Sequence, residues 1–313
     1  MFSVSGDVAG RKQGGMSPSE DRRRGAAEDV RPRMVPSRAG LDRDRLHASG
    51  SAGPSSVSRL SGRTAVVTGG ASGIGYAIVR RLARAGSKVL VVDIDPEKLD
   101  EAEGNLGQEG LSFLRVEADL SRGAGRLADE LVAAHGAIPL IVNNVGVCTG
   151  TNFFETDEDR FDQVFDTNLR GPWFFTRRLT KDLIRRKESG SVVFISSLHD
   201  RVVVHRPQYS ASKAAISQFV RELAYLLAPD RIRVNAISPG RIDTERSQGR
   251  EGQHLTADEM IPMGHGGTPD DVAKLAEFLL SEDSAGYITG ANIPVDGGLS
   301  LHTWHARRPP VSG

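Results

Sequence analysis

Seven short apolar runs punctuate residues 63–298, and glycine turns and helix-period segments separate them. RTAVVT (63–68) passes through GGASGIG into a helical pattern that ends at Gly86. SKVLVVDID (87–95) leads into PEKLDEAEGNLG, which carries proline at its first turn, where helices tolerate it best. LSFLRVEADL, PLIVNNVG (139–146), GSVVFISS (190–197), RIRVNAISPG (231–240) and ANIPVDGG continue the rhythm. Between them, helices are predicted up to His135, over 159–187, up to 228 and over 269–281. The runs are apolar throughout rather than alternating, as a sheet covered on both faces requires. Strand–helix alternation then predicts an α/β chain: a doubly wound parallel sheet flanked by helices on both faces. Ligands in that architecture sit beyond the carboxyl ends of the strands.

Residues 1–61 are a different material. They are rich in Gly, Ser, Pro and Arg, with 11 basic and 7 acidic side chains and no sustained apolar period. Such a segment buries too little apolar surface to offset its ordering entropy, so it is predicted to be a disordered extension. The run Arg22-Arg23-Arg24 is a weak docking patch or simply solvated. One folded domain is expected over 62–301, and 302–313 reads as a flexible tail. The net charge of the whole chain is +0, which asks for neither nucleic acid nor an anionic membrane as partner. The single cysteine, Cys148, rules out a disulfide within the chain and fits a reducing compartment. There is no membrane-length apolar run and no apolar core of a secretory signal, so the expected location is the cytoplasm. The eight histidines lack metal spacing such as H-E-x-x-H, and no metal is expected.

The turn TGGASGIG (68–75) lies between a strand and a helix. Gly69, Gly73 and Gly75 permit a tight turn and a close backbone approach, while Ser72 and Ile74 stand between them. The helix start offers N–H groups and a positive dipole end to a pyrophosphate. Asp93 follows at the end of the second strand, 18 residues after Gly75. A carboxylate there can accept hydrogen bonds from an adenosine ribose and repels a 2′-phosphate, and neither Ser72 nor Ile94 offers a cation to hold one. The expected cofactor is therefore NAD, with NADP less favoured. Asp119, followed by Leu120, ends the third strand, where it either meets an adenine edge or caps a helix.

QYSASK (208–213) places Tyr209 four residues before Lys213, on one helix face. A cation beside a phenol favours the phenolate, and a phenol so lowered can take a proton from an alcohol or return one to a carbonyl. The pair gains meaning from its company. Ser196 and Ser197 end the fifth strand, about a dozen residues upstream. Asn168 lies in DTNLRGPWFF, inside a predicted helix, where asparagine is a poor former and invites another reason. NNVG (143–146) and SPGRIDT (238–244) end strands four and six on the same edge.

Together, TGGASGIG, NNVG, Asn168, the ISS strand end, YSASK, SPGRIDT and GYITGANIPVDGG resemble the short-chain dehydrogenase/reductase family over residues 62–300. The resemblance implies a Rossmann-like fold and an NAD(P)-linked oxidoreductase acting on a small-molecule alcohol or carbonyl. It implies Tyr209 as general acid/base, Lys213 as its electrostatic partner and ribose ligand, and a serine polarising the substrate oxygen. It implies Asn168 as the anchor of a proton-relay water. Asn144 and Gly146 would line the adenosine and ribose path, Pro239 and Gly240 would belong to the cofactor site, and Ile242 and Thr244 would flank the nicotinamide amide. Small residues at Ser210, Ala211 and Ala214 would permit close helix approach, and family members commonly pair this helix and its predecessor in a dimer face, so a homo-oligomer, dimer or tetramer, is expected. Two departures stand out. Val145 occupies a position where alanine is usual. The loop between the serines and Tyr209 is one residue short, so the strand end points to Ser197 while counting back from Tyr209 points to Ser196. Loops absorb deletions more readily than buried strands, which favours Ser197.

Cys148 reads as an inert loop thiol with no evident cationic neighbour, and His199 and His205 as solvated loop histidines, with contact to substrate as the alternative. The segment 245–260 falls where a substrate lid is expected, and its Arg246, Arg250 and His254 suit a polar substrate such as a sugar, polyol or carrier-linked acyl group. The reading is an NAD(H)-dependent interconversion of secondary alcohol and ketone. The alternatives are a 3-oxoacyl-carrier-protein reductase using NADP(H), and a dinucleotide-binding sensor or scaffold without turnover.

Overall fold

A computed structural model describes residues 60–149, 152–203, 205–244 and 260–301. The predicted extension up to Arg59, the loop 245–259 and the tail 302–313 lie outside the described residues. Seven parallel strands form one sheet in the order β3-β2-β1-β4-β5-β6-β7. They are β1 (Thr64–Thr68), β2 (Lys88–Asp93), β3 (Leu114–Glu117), β4 (Leu140–Asn143), β5 (Gly190–Ile195), β6 (Ile232–Pro239) and β7 (Asn292–Val295). The helices are α1 (Gly73–Arg84), α2 (Pro96–Gln108), α3 (Ala124–His135), α4 (Glu158–Phe165), α5 (Gly171–Arg186), α6 (Pro207–Leu227), α7 (Pro269–Leu280) and the short α8 (Glu282–Ala285).

Why the strands read as unbroken apolar runs is visible in their side chains. Along β1, Ala65 and Val67 enter one core while Val66 enters the other. Along β2, Val89 and Val91 face the first core and Leu90 and Val92 the second. The first core is completed by Ile78, Leu99, Leu106 and Leu279, from α1, α2 and α7. The second is completed by Ala128, Phe175, Leu179, Ile216 and Val220, from α3, α5 and α6. Edge strand β3 departs from the expectation of two covered faces: its burial is intermediate at Val116, and Leu114, Arg115 and Glu117 are exposed.

Chain direction along the sheet reverses beside β1. The chain runs from β1 to β2 and β3, then crosses back to β4 on the other side of β1. That reversal opens a crevice at the carboxyl ends of β1 and β4. Helix starts are fixed by local chemistry. Asp95 caps α2 by accepting from Lys98 N–H at 3.2 Å, and Thr268 and Asp271 form a reciprocal capping box on α7.

Two predicted boundaries move. Leu60, within the predicted extension, is buried at 1% exposure, and its carbonyl accepts from Ser87 Oγ at 2.8 Å. The packed domain therefore includes this residue. The predicted helix 159–187 is two α-helices joined by a π-helical turn, Asp166–Arg170.

Candidate active site

The glycine turn is built around Asn144. Its Nδ2 donates to Thr68 O at 3.1 Å and to Gly69 O at 2.7 Å. Thr68 Oγ1 accepts from the N–H groups of Asn144 and Val145 at 3.1 and 3.2 Å. A Cβ at Gly75 would lie 2.0 Å from Gly69 O, so α1 can rest on the turn only without a side chain there. Gly73 adopts φ +53°, and a Cβ there would lie 3.6 Å from Thr244 Cγ2. Turn and post-β6 segment thus face each other across the crevice. Ser72 makes no side-chain cap bond and α1 has no acid in its first turn, which leaves the helix start suited to an anion. This cradle fits a dinucleotide pyrophosphate. Val145 packs against the second core, a sufficient reason for an apolar side chain there.

Asp93 stands half-buried at the end of β2. Its Oδ2 accepts from Ala71 N–H at 3.1 Å and its Oδ1 from Asp95 N–H at 3.3 Å, which ties the acid to the turn. Ile94 beside it is 63% exposed and uncharged. Asp119 accepts from Ser121 N–H and Oγ at 2.9 and 2.7 Å. It is not a helix cap, because α3 starts later, with Gly123 at its N-cap. Leu120 is buried.

Across the crevice, α6 presents Tyr209 and Lys213. Lys213 is 2% exposed and donates from Nζ to Ile195 O at 2.9 Å, with Nζ 5.7 Å from the Tyr209 ring centroid. The ammonium therefore stands over the face of the ring. Burial dominates both groups. It pushes the Tyr209 phenol up to about 12, against a hydrogen bond from Ser197 that works downward. It pushes the Lys213 ammonium down to about 8. The direction at Tyr209 is opposite to the lowering expected from a neighbouring cation, because desolvation of the phenolate is the largest influence on it.

The two serines point in different directions. Ser197 hydrogen-bonds the phenol, whereas Ser196 Oγ donates to Lys213 O at 3.2 Å and serves the packing of α6 on β5. Asn168 lies in the π-turn and is fully buried. Its Nδ2 donates to Val147 O and Ser212 Oγ, each at 3.0 Å, and its Oδ1 accepts from Val147 N–H at 2.8 Å. An asparagine poorly suited to a helix interior is thus accommodated by a turn that widens the helix, a feature frequent at functional sites. Gly146 lies between these groups, since a Cβ there would sit 3.3 Å from Lys213 Nζ and 3.5 Å from Asn168 Oδ1. Gly240 follows Pro239 and leaves no room for a side chain against Asp296, while Ile242 is buried beside Gly267.

Sequence reasoning missed Asp200. Its side chain is 2% exposed. Oδ2 accepts from Ser217 Oγ at 2.6 Å, Ser238 Oγ at 3.1 Å and Asn292 Nδ2 at 2.6 Å, and Oδ1 accepts from Arg201 Nε at 2.7 Å. One carboxylate thereby fastens the turn after Ser197 to α6, β6 and β7. Nothing in the stretch LHDR distinguishes it from a solvated loop acid. Cys148 also differs from its reading: Arg206 Nη1 stands 3.2 Å from its sulfur, so a cation does face it. His205 is exposed as expected, but His199 packs edge to face on Tyr209, centroids 5.3 Å apart. A groove of about 510 Å³ opens at the head of α6, lined by Phe153, Phe161, Pro207, Gln208 and Ala211 among others. Among the described residues no cluster of three or more His, Cys, Asp or Glu could hold a metal, and no helix is long and apolar enough to cross a membrane.

Comparison with known proteins agrees with this geometry. Residues 69–300 match the family described as enoyl-(acyl carrier protein) reductase. Glucose 1-dehydrogenase 2 of Bacillus subtilis is 35% identical over 253 residues, 78% of this chain and 96% of the relative. A short-chain type dehydrogenase/reductase from Mycobacterium marinum superposes with a TM-score of 0.72 at 27% identity, covering 77% of this chain and 96% of the other. The chain is a short-chain dehydrogenase/reductase. A further member of the family, a Beutenbergia cavernae protein provisionally called an NAD(P)-dependent gluconate 5-dehydrogenase, was solved with NADP at low occupancy. It has a TM-score of 0.73 at 34% identity, over 79% of this chain and 99% of that one. This short-chain dehydrogenase/reductase is accordingly an NAD(P)-dependent oxidoreductase acting on CH–OH groups.

The two serines give a direct test of the site. Ser197→Ala is expected to lower turnover at least tenfold more than Ser196→Ala, because only the former hydroxyl faces the phenol. Steady-state kinetics of the two variants checks this, and a larger loss in Ser196→Ala would reverse the assignment.

Proposed function

We propose that this enzyme interconverts a secondary alcohol and a ketone, prefers NAD(H) to NADP(H), and takes a polar substrate such as a sugar, polyol or hydroxyacyl compound. The observation that carries the reading is the Ser197–Tyr209 contact above buried Lys213, at the carboxyl ends of the strands. Ser197 donates to the substrate oxygen and orients it. Tyr209 Oη gives that oxygen a proton in reduction and removes one in oxidation. Lys213 holds the phenol's surroundings positive, and Asn168 keeps the β4 loop and α6 in register behind it. The dinucleotide would lie along Gly69, Ser72, Gly73 and Ile74, with Asp93 at the ribose, Asp119 and Leu120 at the adenine side, and Ile242 and Thr244 at the far end. When bound, its nicotinamide supplies hydride transfer at the carbinol carbon.

Asp93 and the uncharged Ile94 support NAD, although the Beutenbergia neighbour holds NADP. Names of relatives that refer to glucose and gluconate support a sugar-derived polyol. Phe161, Trp173 and Phe174, with Ala211 and Ala214, are exposed on α4 to α6 and support self-association as a dimer or tetramer.

The test is an absorbance screen at the nicotinamide band over alcohols, polyols and ketones, with NAD(H) and NADP(H) compared at equal concentration. Turnover favouring NAD(H) by about tenfold or more is expected, and Asp93→Asn is expected to narrow that margin. Preference for NADPH would defeat the cofactor assignment. Cofactor binding without turnover of any substrate would favour the sensor reading instead.

A further inference from the structure

The turn after Ser197 carries a side chain that the proton chemistry leaves unused. His199 lies against Tyr209, edge to face at 5.3 Å between centroids. Its backbone N–H donates to Ser197 Oγ at 3.3 Å, so the same turn fixes the imidazole and the serine together. Nδ1 is sealed from water and has no hydrogen-bond partner. Among the described residues, the ring makes no hydrogen bond through its other nitrogen either, and that nitrogen is not sealed.

These facts fix the state of the ring. A buried N–H with nothing to donate to is rarer than an acceptor left unpaired. The inner nitrogen therefore keeps its lone pair, and the proton sits on Nε2. Protonation of the whole ring is opposed first by burial and then by Arg206 and Lys213, which together hold it below the ordinary imidazole range. His199 is a neutral donor beside the phenol, with its N–H directed away from the sealed side.

On the reading proposed above, Tyr209 and Ser197 engage one substrate oxygen. This inference rests on that reading. We propose that His199 is a specificity-determining residue: its Nε2–H donates to an oxygen on the carbon adjacent to the reacting one, so the enzyme favours vicinal diols and α-hydroxy ketones over simple alcohols and ketones. The contact requires Asp200, whose network holds the turn in place, but Asp200 itself faces inward to Ser217, Ser238 and Asn292 and does not compete for the imidazole.

The experiment compares kcat/KM for butane-2,3-diol and butan-2-ol, with NAD⁺, in the full chain, in His199→Phe and in His199→Gln. Phenylalanine keeps the ring contact and removes the donor; glutamine keeps a terminal N–H. NADH binding by fluorescence is followed in parallel to show that each variant is folded, with His199→Leu as a smaller substitute if phenylalanine does not fit. The wild type is expected to favour the diol by about tenfold, the scale of one net hydrogen bond. His199→Phe is expected to bring the ratio near one, chiefly through KM for the diol, and His199→Gln to retain part of it. Equal use of the two alcohols by the wild type overturns the inference while leaving alcohol oxidation intact. A preference that survives in His199→Phe and His199→Leu overturns it as well, as does oxidation of neither alcohol. Bound NADH with no turnover across the whole alcohol screen is the distinct result that removes the underlying reading.

Discussion

Tyr209→Phe is expected to lower kcat by about 10²- to 10⁴-fold, the range that a positioned general acid/base contributes, while NADH still binds. The substitution removes one oxygen and leaves the packing of the ring on His199 in place. A structural role for the hydroxyl would show instead as weakened folding, so thermal unfolding belongs beside the kinetics. The pH profile gives a second reading. A phenol held up to about 12 stays protonated across the neutral range and is ready to donate to a carbonyl. As a base it must first ionise, and the phenolate fraction rises about tenfold per pH unit below the pKa. Oxidation by the wild type is thus expected to climb through alkaline pH while carbonyl reduction changes little. The same activity in Tyr209→Phe at every pH would remove the phenol from the mechanism.

Asp200→Ala is expected to cost about 3–5 kcal/mol of folding stability, the usual result of breaking a buried charge network from one side. Ser217, Ser238 and Asn292 would lose their common acceptor in a place water reaches poorly, and the more exposed Arg201 its ion-pair partner. For a domain of this size the fall in Tm is on the order of 10 °C. Burial by itself would raise this carboxyl's pKa, but the hydrogen bonds from Arg201, Ser217 and Asn292 outweigh it and hold the group below its ordinary 3.8. A folded-state pKa lower than the unfolded one stabilises the fold above the unfolded value, and the benefit disappears as pH falls through the folded value. The gap between wild type and Asp200→Ala should therefore be full at neutral pH and shrink only in strong acid. Urea melts at several pH values check this; a gap below about 1 kcal/mol at pH 7 would mean that the network adds little.

Much of this was legible in the sequence because the physics involved is local. Apolar strands announce a sheet covered twice, and β3 escaped that rule only because it is an edge, which the run LSFLRVEADL does not reveal. Glycines in TGGASGIG mark positions where backbone chemistry admits few alternatives, while the Tyr209–Lys213 spacing gained meaning only from the strand ends that accompany it. Asn168 advertised itself by its poor fit to a helix, and the π-turn is the reason it can stay. What stayed hidden depends on distant partners. Asp200 is an ordinary loop acid until Asn292, 92 residues away, is brought to it. Arg206 meets Cys148 across 58 residues. The balance between burial and charge at Tyr209 is likewise a property of the assembled interior, and spacing along a helix cannot supply it.

The π-turn between α4 and α5 also governs phase. An α-helix advances about 100° per residue, so the one extra residue accommodated in Asp166–Arg170 rotates everything after it relative to what came before. Val164 before the turn and Phe175 after it are both fully buried, Phe175 in the second core. Deleting any one residue of the turn would straighten the helix pair and swing Phe175 and Leu179 out of the sheet's face, while point substitutions elsewhere along α5 leave the offset untouched. The segment is therefore constrained in length as well as at buried Asn168.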